Sequence, residues 1–343
     1  MRNSITINDI SRETSVSNTT VSRVLNGFSR KYRISEETAQ HVMEVAKKLN
    51  YRPNRTAVSL RKQVSNLIGL VVPDLSNSFF TNVANIITNE LKKNGYSVIL
   101  TDCGDDENTE IEVVNLLNDR RIDGLLVMPC GRQSEHLEDL YGQGVPVICV
   151  DRYFESSPLS FVATNNYSGA YEITKYLIDA HHKHIVCIQG LEHVMPNLQR
   201  VKGYIDAMKD AGLEEEICVV GNDFSQENGY LETKRLLQRT QRPTAIFGLS
   251  NTIILGSLKA LEEEGLSVPQ DMSLVTFDNA EYLNFLNPPL TSIAQPNAEI
   301  AQMSIKMLLG MIRNKELLAA QKPEQILLNP TIIYRRSVKI LKN

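Results

Sequence analysis

From residue 64 onward, short runs rich in Val, Ile and Leu alternate with stretches of helical periodicity. LIGLVV (67–72) precedes a helix near 79–94, and YSVILTD (96–102), IDGLLVM (122–128) and VPVICVD (145–151) follow with helices between them. A second series opens with HIVCIQG (184–190) and continues through ICVVG (217–221), AIFGLS (245–250) and SLVTFD (273–278). Strands apolar on both faces must be covered on both, which parallel sheets flanked by helices achieve. Two series predict an α/β body of two doubly wound subdomains. A ligand cleft is expected between them, at the carboxyl ends of the strands.

Charge separates the first 63 residues from this body. They hold twelve lysines and arginines against five acids, net +7, whereas the remaining 280 residues carry net −11 within an overall −4. A basic head on an acidic body points to a polyanionic partner for the head alone.

The head reads as three short helices. Thr6 can cap the first, with Asp9 three residues on, and this helix reaches about Thr14 before Ser15-Val16-Ser17 interrupts it. Ser17 caps a second, Asn18 to Leu25, with Val21, Val24 and Leu25 inward and Asn26-Gly27 ending it. Ser35 caps a third whose expected apolar stripe is Ala39, Val42, Met43, Ala46 and Leu49. The outward side chains of the second helix are Asn18, Thr19, Thr20, Ser22, Arg23 and Asn26. Short hydrogen-bonding groups with one guanidinium suit base edges in the major groove, Arg bidentate to guanine and Asn to adenine. Ser17 and its neighbours at the helix start can hold phosphates.

The string ITINDISRETSVSNTTVSRVLNG, then ISEET, then YRPNRTAVSLRKQ, resembles the head of the lac repressor/galactose repressor (LacI/GalR) family. It departs at Ser15, where the family usually has Gly, and in extra residues within GFSRKYR before the third helix. The resemblance implies an all-α helix-turn-helix DNA-binding domain over residues 1–53 and a hinge helix over 54–63 that forms on DNA. It also implies that Thr6 and Asn54 belong to the DNA-contacting set. The hinge residue Leu60 would enter the minor groove as an apolar wedge. The implied body, 64–343, is type I periplasmic-binding-protein-like. Its N-subdomain is expected at about 64–164 and 291–322, its C-subdomain at about 165–290 and 323–343, with NPPLTSIAQP (287–296) as a crossover.

Polar and aromatic groups stand at the expected strand ends: Phe79 and Phe80 after the first, Asp151-Arg152 after the fourth, Arg200 after HIVCIQG, Phe224 after ICVVG, Ser250-Asn251 and Asp278-Asn279. Aromatic faces pack on a sugar ring, while carboxylates, Arg and Asn exchange hydrogen bonds with its hydroxyls. The resemblance places effector contacts at Phe79, Phe80, Asp151, Arg152, Arg200, Phe224 and Asp278. Asn251 joins the expected set, although Ser250-Asn251 stands where the family usually has Asn-Asp.

No Walker A, GxGxxG or GxSxG string occurs, so nucleotide and serine-hydrolase chemistry lose their main signals, and no catalytic residue or cofactor is expected. His181, His182 and His184 cluster before a strand and read as part of a helix-to-strand connection rather than a metal site. Cys103, Cys130, Cys149, Cys187 and Cys218 form no CxxC pair and are expected as reduced core thiols. MRNSITINDI lacks an apolar signal region and no run is long enough for a membrane span, so a cytoplasmic protein is expected.

These features predict a transcription regulator, a repressor of carbohydrate catabolism genes. Its partners are a pseudo-palindromic double-stranded operator, a second copy of the chain, and a sugar or sugar-acid inducer. A corepressor, protein or purine-like, is the alternative. The chain ends at VKILKN without a leucine heptad, which predicts a homodimer rather than a tetramer.

Overall fold

The computed structural model describes residues 5–51, 64–314, 318 and 322–342. The chain divides into two compact units, Met1–Ser65 and Asn66–Asn343.

The first unit contains α1 (Ile7–Thr14), α2 (Asn18–Leu25) and α3 (Glu36–Lys48). Thr6 and Asp9 close a reciprocal capping box on α1, and Ser17 and Ser35 accept from Thr20 N and Thr38 N to cap α2 and α3. Ser15 ends α1 with φ 55, a left-handed conformation. That geometry explains why Gly suits the position, since a Cβ is disfavoured there. Ile10, Val21, Val24, Val42, Val45 and Ala46 form the core. Met43, expected on the inward stripe of α3, is 54% exposed. Val45 takes its place, because 42, 45, 46 and 49 share one helical face and 43 does not.

The second unit holds two six-stranded sheets. The first runs β11-β5-β4-β3-β1-β2, with β1 Leu67–Val72, β2 Ser97–Asp102, β3 Gly124–Val127, β4 Val147–Val150, β5 Ser160–Thr164 and β11 Gln325–Leu328, all paired parallel. The second runs β12-β10-β9-β8-β6-β7, with β6 Ile185–Ile188, β7 Cys218–Val220, β8 Ala245–Gly248, β9 Ser273–Phe277, β10 Thr291–Ala294 and β12 Thr331–Ile333. Among the described residues, the β10–β12 pair alone is antiparallel.

Helices cover both faces. In chain order they are α4 (Ser78–Lys93), α5 (Glu107–Asp119), α6 (Glu135–Gly142), α7 (Asn166–Asp179), α8 (Met195–Asp210), α9 (Gln226–Leu237), α10 (Asn251–Glu263) and α11 (Asn297–Arg313). Helices α4 and α11 bury Phe80, Ile87, Ile300 and Leu308 against one face of the first sheet, while α5 and α6 bury Leu117 and Leu137 against the other.

The expected subdomain limits at 291 and 323 need correction. Strand β10 lies in the second sheet and β11 in the first. The chain therefore passes between sheets near 165, near 295 and again at Asn329-Pro330. The crossover segment is itself a strand, which apolar-run reading does not separate from a linker.

Helices α9 and α10 touch backbone to backbone. A Cβ on Gly256 would lie 2.0 Å from the Gln226 carbonyl, and one on Gly229 would lie 2.0 Å from the Ile253 carbonyl. Gly256→Ala is expected to force the helices apart and cost about 3 kcal/mol, the upper range for overpacking, since backbone cannot rotate away as a side chain does. The denaturant midpoint should fall, and an unchanged midpoint would refute the close packing.

Candidate functional site

The carboxyl ends of both sheets face a cleft with a cavity of about 350 Å³. Seven of the eight expected effector-binding side chains line it: Phe79, Phe80, Asp151, Arg152, Arg200, Phe224 and Asp278. Asp151 follows β4 and Asp278 follows β9, and both have left-handed backbones, φ 62 and φ 70. Asp tolerates this conformation better than most residues, and such positions recur at functional sites.

Three aromatic rings come from two segments, the start of α4 and the turn after β7. Phe79 and Phe80 open α4 at 5.3 Å, edge to face, behind an Asn77 cap that accepts from Phe79 N. Phe224 packs over Gly190, where even a Cβ would come within 2.3 Å of the ring. Apolar faces and buried charges thus share one small space.

Both arginines are already engaged. Arg152 forks onto the Asp105 carboxylate, and its guanidinium lies 5.3 Å from the Phe80 ring centre and 5.9 Å from that of Phe224. Burial opposes its charge most strongly, but Asp105, joined by Asp151 and Cys130, outweighs burial and raises its pKa. Arg200 Nε donates to Asn166 Oδ1 at 2.8 Å and its Nη1 to the Leu249 carbonyl at 2.7 Å, with the guanidinium 3.6 Å from the Phe277 ring centre. Asp278 accepts from Gln295 Nε2 at 2.6 Å. The Gln295 Oε1 in turn accepts from Thr164, so the crossover strands fix this carboxylate.

Asp151 differs from the rest. It is buried, and its Oδ1 has no hydrogen-bond partner. Burial pushes its pKa up to about 6, against the pull of Arg200 and Arg152 and with the help of Asp278. An orphaned buried acceptor is costly, so it marks where a donor from outside the chain belongs.

Asn251 does not line this cavity. It is the first residue of α10, which Ser250 caps, donates from Nδ2 to Ser78 Oγ at 2.8 Å, and borders a neighbouring recess of about 800 Å³. The cavity also includes Asp74, Asp105, Asp223 and Gln295, which the sequence reading missed. Asp105 and Asp223 lie in the turns after β2 and β7, so extending the strand-end rule to those turns finds them. Asn251 bonds to Ser78 across the cleft walls, as does His193 Nε2 to the Cys130 carbonyl at 2.9 Å.

All five cysteines are free thiols, four of them buried and Cys218 half-buried, and two of them meet. Cys103 Sγ lies 3.4 Å from Cys130 Sγ, beside the fully buried Glu110. The Glu110 oxygens accept from Cys130 N and meet His136 Nε2 at 2.8 Å, so the carboxylate is satisfied by the chain. His182 is similarly engaged, with Thr244 Oγ1 and the Lys339 carbonyl, and His184 meets Glu216.

In the head, Ser17, Asn18, Thr19 and Asn26 are exposed on or beside α2, while Thr20, Ser22 and Arg23 are half-buried. Asn18 Nδ2 donates to Asn8 Oδ1, and Asn26 Nδ2 to the Ser22 carbonyl, which holds these amides in place. Thr6 is engaged with Asp9. Asn54 and Leu60, with the rest of the expected hinge, lie outside the described residues.

A model of the bacterial regulatory proteins of the lacI family matches residues 6–54. A model of periplasmic binding proteins and the sugar binding domain of the LacI family matches residues 65–328. The chain is 33% identical to the ribose operon repressor of Haemophilus influenzae over 98% of its own length and 99% of the relative's. It is 31% identical to the HTH-type transcriptional repressor PurR of Vibrio cholerae, over 98% of each chain. A LacI family transcriptional regulator from Enterococcus faecium, solved with bound ribose, superposes with a TM-score of 0.73 at 28% identity, covering 80% of this chain and all of that one. With head and body matched in order, the chain belongs to the LacI family of bacterial regulatory proteins: it is a DNA-binding transcription regulator, not an enzyme.

Proposed function

We propose that the protein represses genes for the use of a neutral aldopentose of the ribose type and releases its operator when that sugar fills the cleft. The observation that carries this reading is the buried, unpartnered Asp151 Oδ1 among three phenylalanine rings. A sugar hydroxyl supplies the missing donor, and the rings take the apolar face of the pyranose or furanose.

The lining argues for a neutral ligand over a sugar acid. Five carboxylates (Asp74, Asp105, Asp151, Asp223, Asp278) outnumber two guanidiniums, and Arg152 is tied to Asp105. Ribose in the Enterococcus faecium regulator and in the name of the Haemophilus influenzae relative supports the pentose class. A purine-like corepressor, the alternative read from the sequence, is the second reading.

On this reading two heads of a homodimer read the halves of a pseudo-palindrome in the cytoplasm, with the 54–63 hinges, Asn54 and Leu60 among them, at its centre. Among the described residues no helix is long and apolar enough to cross a membrane. Effector and operator are coupled reciprocally through the closure of the two subdomains.

Titration calorimetry on the full chain with D-ribose, D-glucuronate and hypoxanthine tests the ligand class. Saturable heat with ribose alone is expected, and heat with hypoxanthine alone would replace the pentose reading by the purine one. An operator selected from random duplex DNA should be released by ribose. Tighter binding instead would make the sugar a corepressor.

A further inference from the structure

The residues that separate this head from the usual family pattern, within Gly27–Arg33, build a compact loop against α2. Gly27 leaves the helix with φ 76, and Phe28 N donates to the Arg23 carbonyl at 2.9 Å. Tyr32 N donates to the Phe28 carbonyl, Arg33 N to that of Arg30, and Ile34 N to that of Ser29. Arg33 turns the chain with φ 53, and Ser35 then caps α3. Four backbone bonds in so short a segment give it one defined shape.

Its side chains are unusual for a solvated loop. Tyr32 is 44% exposed and Phe28 46%, and their rings meet edge to face at 6.5 Å. The Arg23 guanidinium lies 3.9 Å from the Tyr32 ring centre. Arg30, Lys31 and Arg33 are exposed. Among the described residues the head's one ion pair is Arg12 with Asp9, so these three cations are not neutralised by the chain.

We infer that this loop is a second DNA-contacting element: Tyr32 positions Arg23 for base reading, and Arg30, Lys31 and Arg33 engage backbone phosphates beside the site. A free arginine side chain samples many rotamers. Stacking on a ring whose own position is fixed by Phe28 and the loop backbone presents its planar fork in one orientation, as bidentate contact with a guanine edge requires. Unpaired cations on a rigid loop next to the reading helix add sequence-independent contacts, each releasing counterions. The inference rests on assigning the α2 face to base reading, and that assignment is tested separately by Arg23→Ala.

The test uses the full chain and the operator it selects from random duplex DNA, with every single-base-pair variant, over a salt series. Arg23→Ala should lose discrimination at one base pair per half-site. Tyr32→Ala should lose discrimination at that same pair, Tyr32→Phe should restore it, and Arg23→Ala/Tyr32→Ala should lose no more there than Arg23→Ala alone. Replacing Arg30, Lys31 and Arg33 by Gln should leave base preferences in place and lower the salt slope by about 0.9 for each phosphate no longer neutralised. If Arg23→Ala changes no base preference, the reading of α2 fails and the inference with it. If Arg23→Ala loses discrimination but Tyr32→Ala does not, or if the triple variant keeps the wild-type salt slope, α2 stands and the loop is overturned as a DNA element. Thermal melting of each variant identifies loss of binding caused by an unfolded head, and Tyr32→Phe keeps the ring stack testable in that event.

Discussion

Arg200→Ala is expected to abolish the response to effector and also to destabilise the body by about 3–5 kcal/mol, the range for removing one partner from buried charges. The sequence alone suggests a ligand contact whose loss spares operator binding. The structure gives Arg200 a second role. Its Nε and Nη1 hold Asn166 at the start of α7 and the Leu249 carbonyl after β8, and its charge faces Asp278 and Asp151. Truncation leaves two buried carboxylates with Arg152 as the remaining nearby guanidinium in the cleft, and Arg152 is occupied by Asp105. A charged hydrogen bond to the ligand is worth about 1.5–3 kcal/mol, so effector affinity alone should drop roughly ten- to a hundredfold. Thermal unfolding of the variant, with and without D-ribose, separates the two effects. A wild-type midpoint that still rises with ribose would remove Arg200 from both roles.

Much of this site was legible because strand ends are legible. Asp151, Asp278 and Phe79 follow runs of Val, Ile and Leu too continuous to be anything but covered parallel strands, and the cleft of a doubly wound sheet lies at those ends. The legibility fails where strands are short, polar or half-covered. Strand β5, SFVAT, is fully buried but carries Ser and Thr at its ends and follows Ser-Pro-Leu. Strands β11 and β12 show burial patterns with exposed positions and sit on opposite sides of Asn329-Pro330, so no local pattern says that they join different sheets. Gln295 escaped for the same reason: it follows β10, which reads as a linker. Asn251 stands outside the first cavity because a polar residue at a strand end can serve a cross-cleft bond, here to Ser78, as well as a ligand. The pairing of Cys103 with Cys130 arises from the ends of β2 and β3 flanking β1, a juxtaposition of sheet order that spacing along the chain does not carry.

The carboxylate left without a donor gives the site a pH signature. Affinity for the effector is expected to be level between about pH 8 and 7 and to weaken about tenfold per unit well below pH 6. Burial raises Asp151 to about 6, Arg200 and Arg152 limit the rise, and Asp278 adds to it. A sugar hydroxyl donates to the ionised form. The protonated form has one acceptor site fewer and needs an acceptor of its own, so it binds poorly. Binding near pH 6 should therefore release about half a proton, which calorimetry in buffers of different ionisation enthalpy detects. Stability without effector runs the other way. Because the folded pKa lies above the ordinary 3.8, the fold holds this proton more tightly than the unfolded chain does. Asp151 then favours the folded state more as pH falls from about 6 to 4, and its ionised form at neutral pH costs the empty protein up to about 3 kcal/mol, at roughly 1.4 kcal/mol per pH unit. Ligand hydroxyls offset that cost, which couples effector to stability through one oxygen atom. Burial raises Asp278 as well, so the assignment needs two variants. Asp151→Asn should weaken binding roughly ten- to a hundredfold and flatten the acid limb, whereas Asp278→Asn should weaken binding and keep that limb. Wild-type affinity that stays level down to about pH 5 would mean that Asp151 is already supplied with a donor in the empty protein, and the ligand reading of its free oxygen would fall.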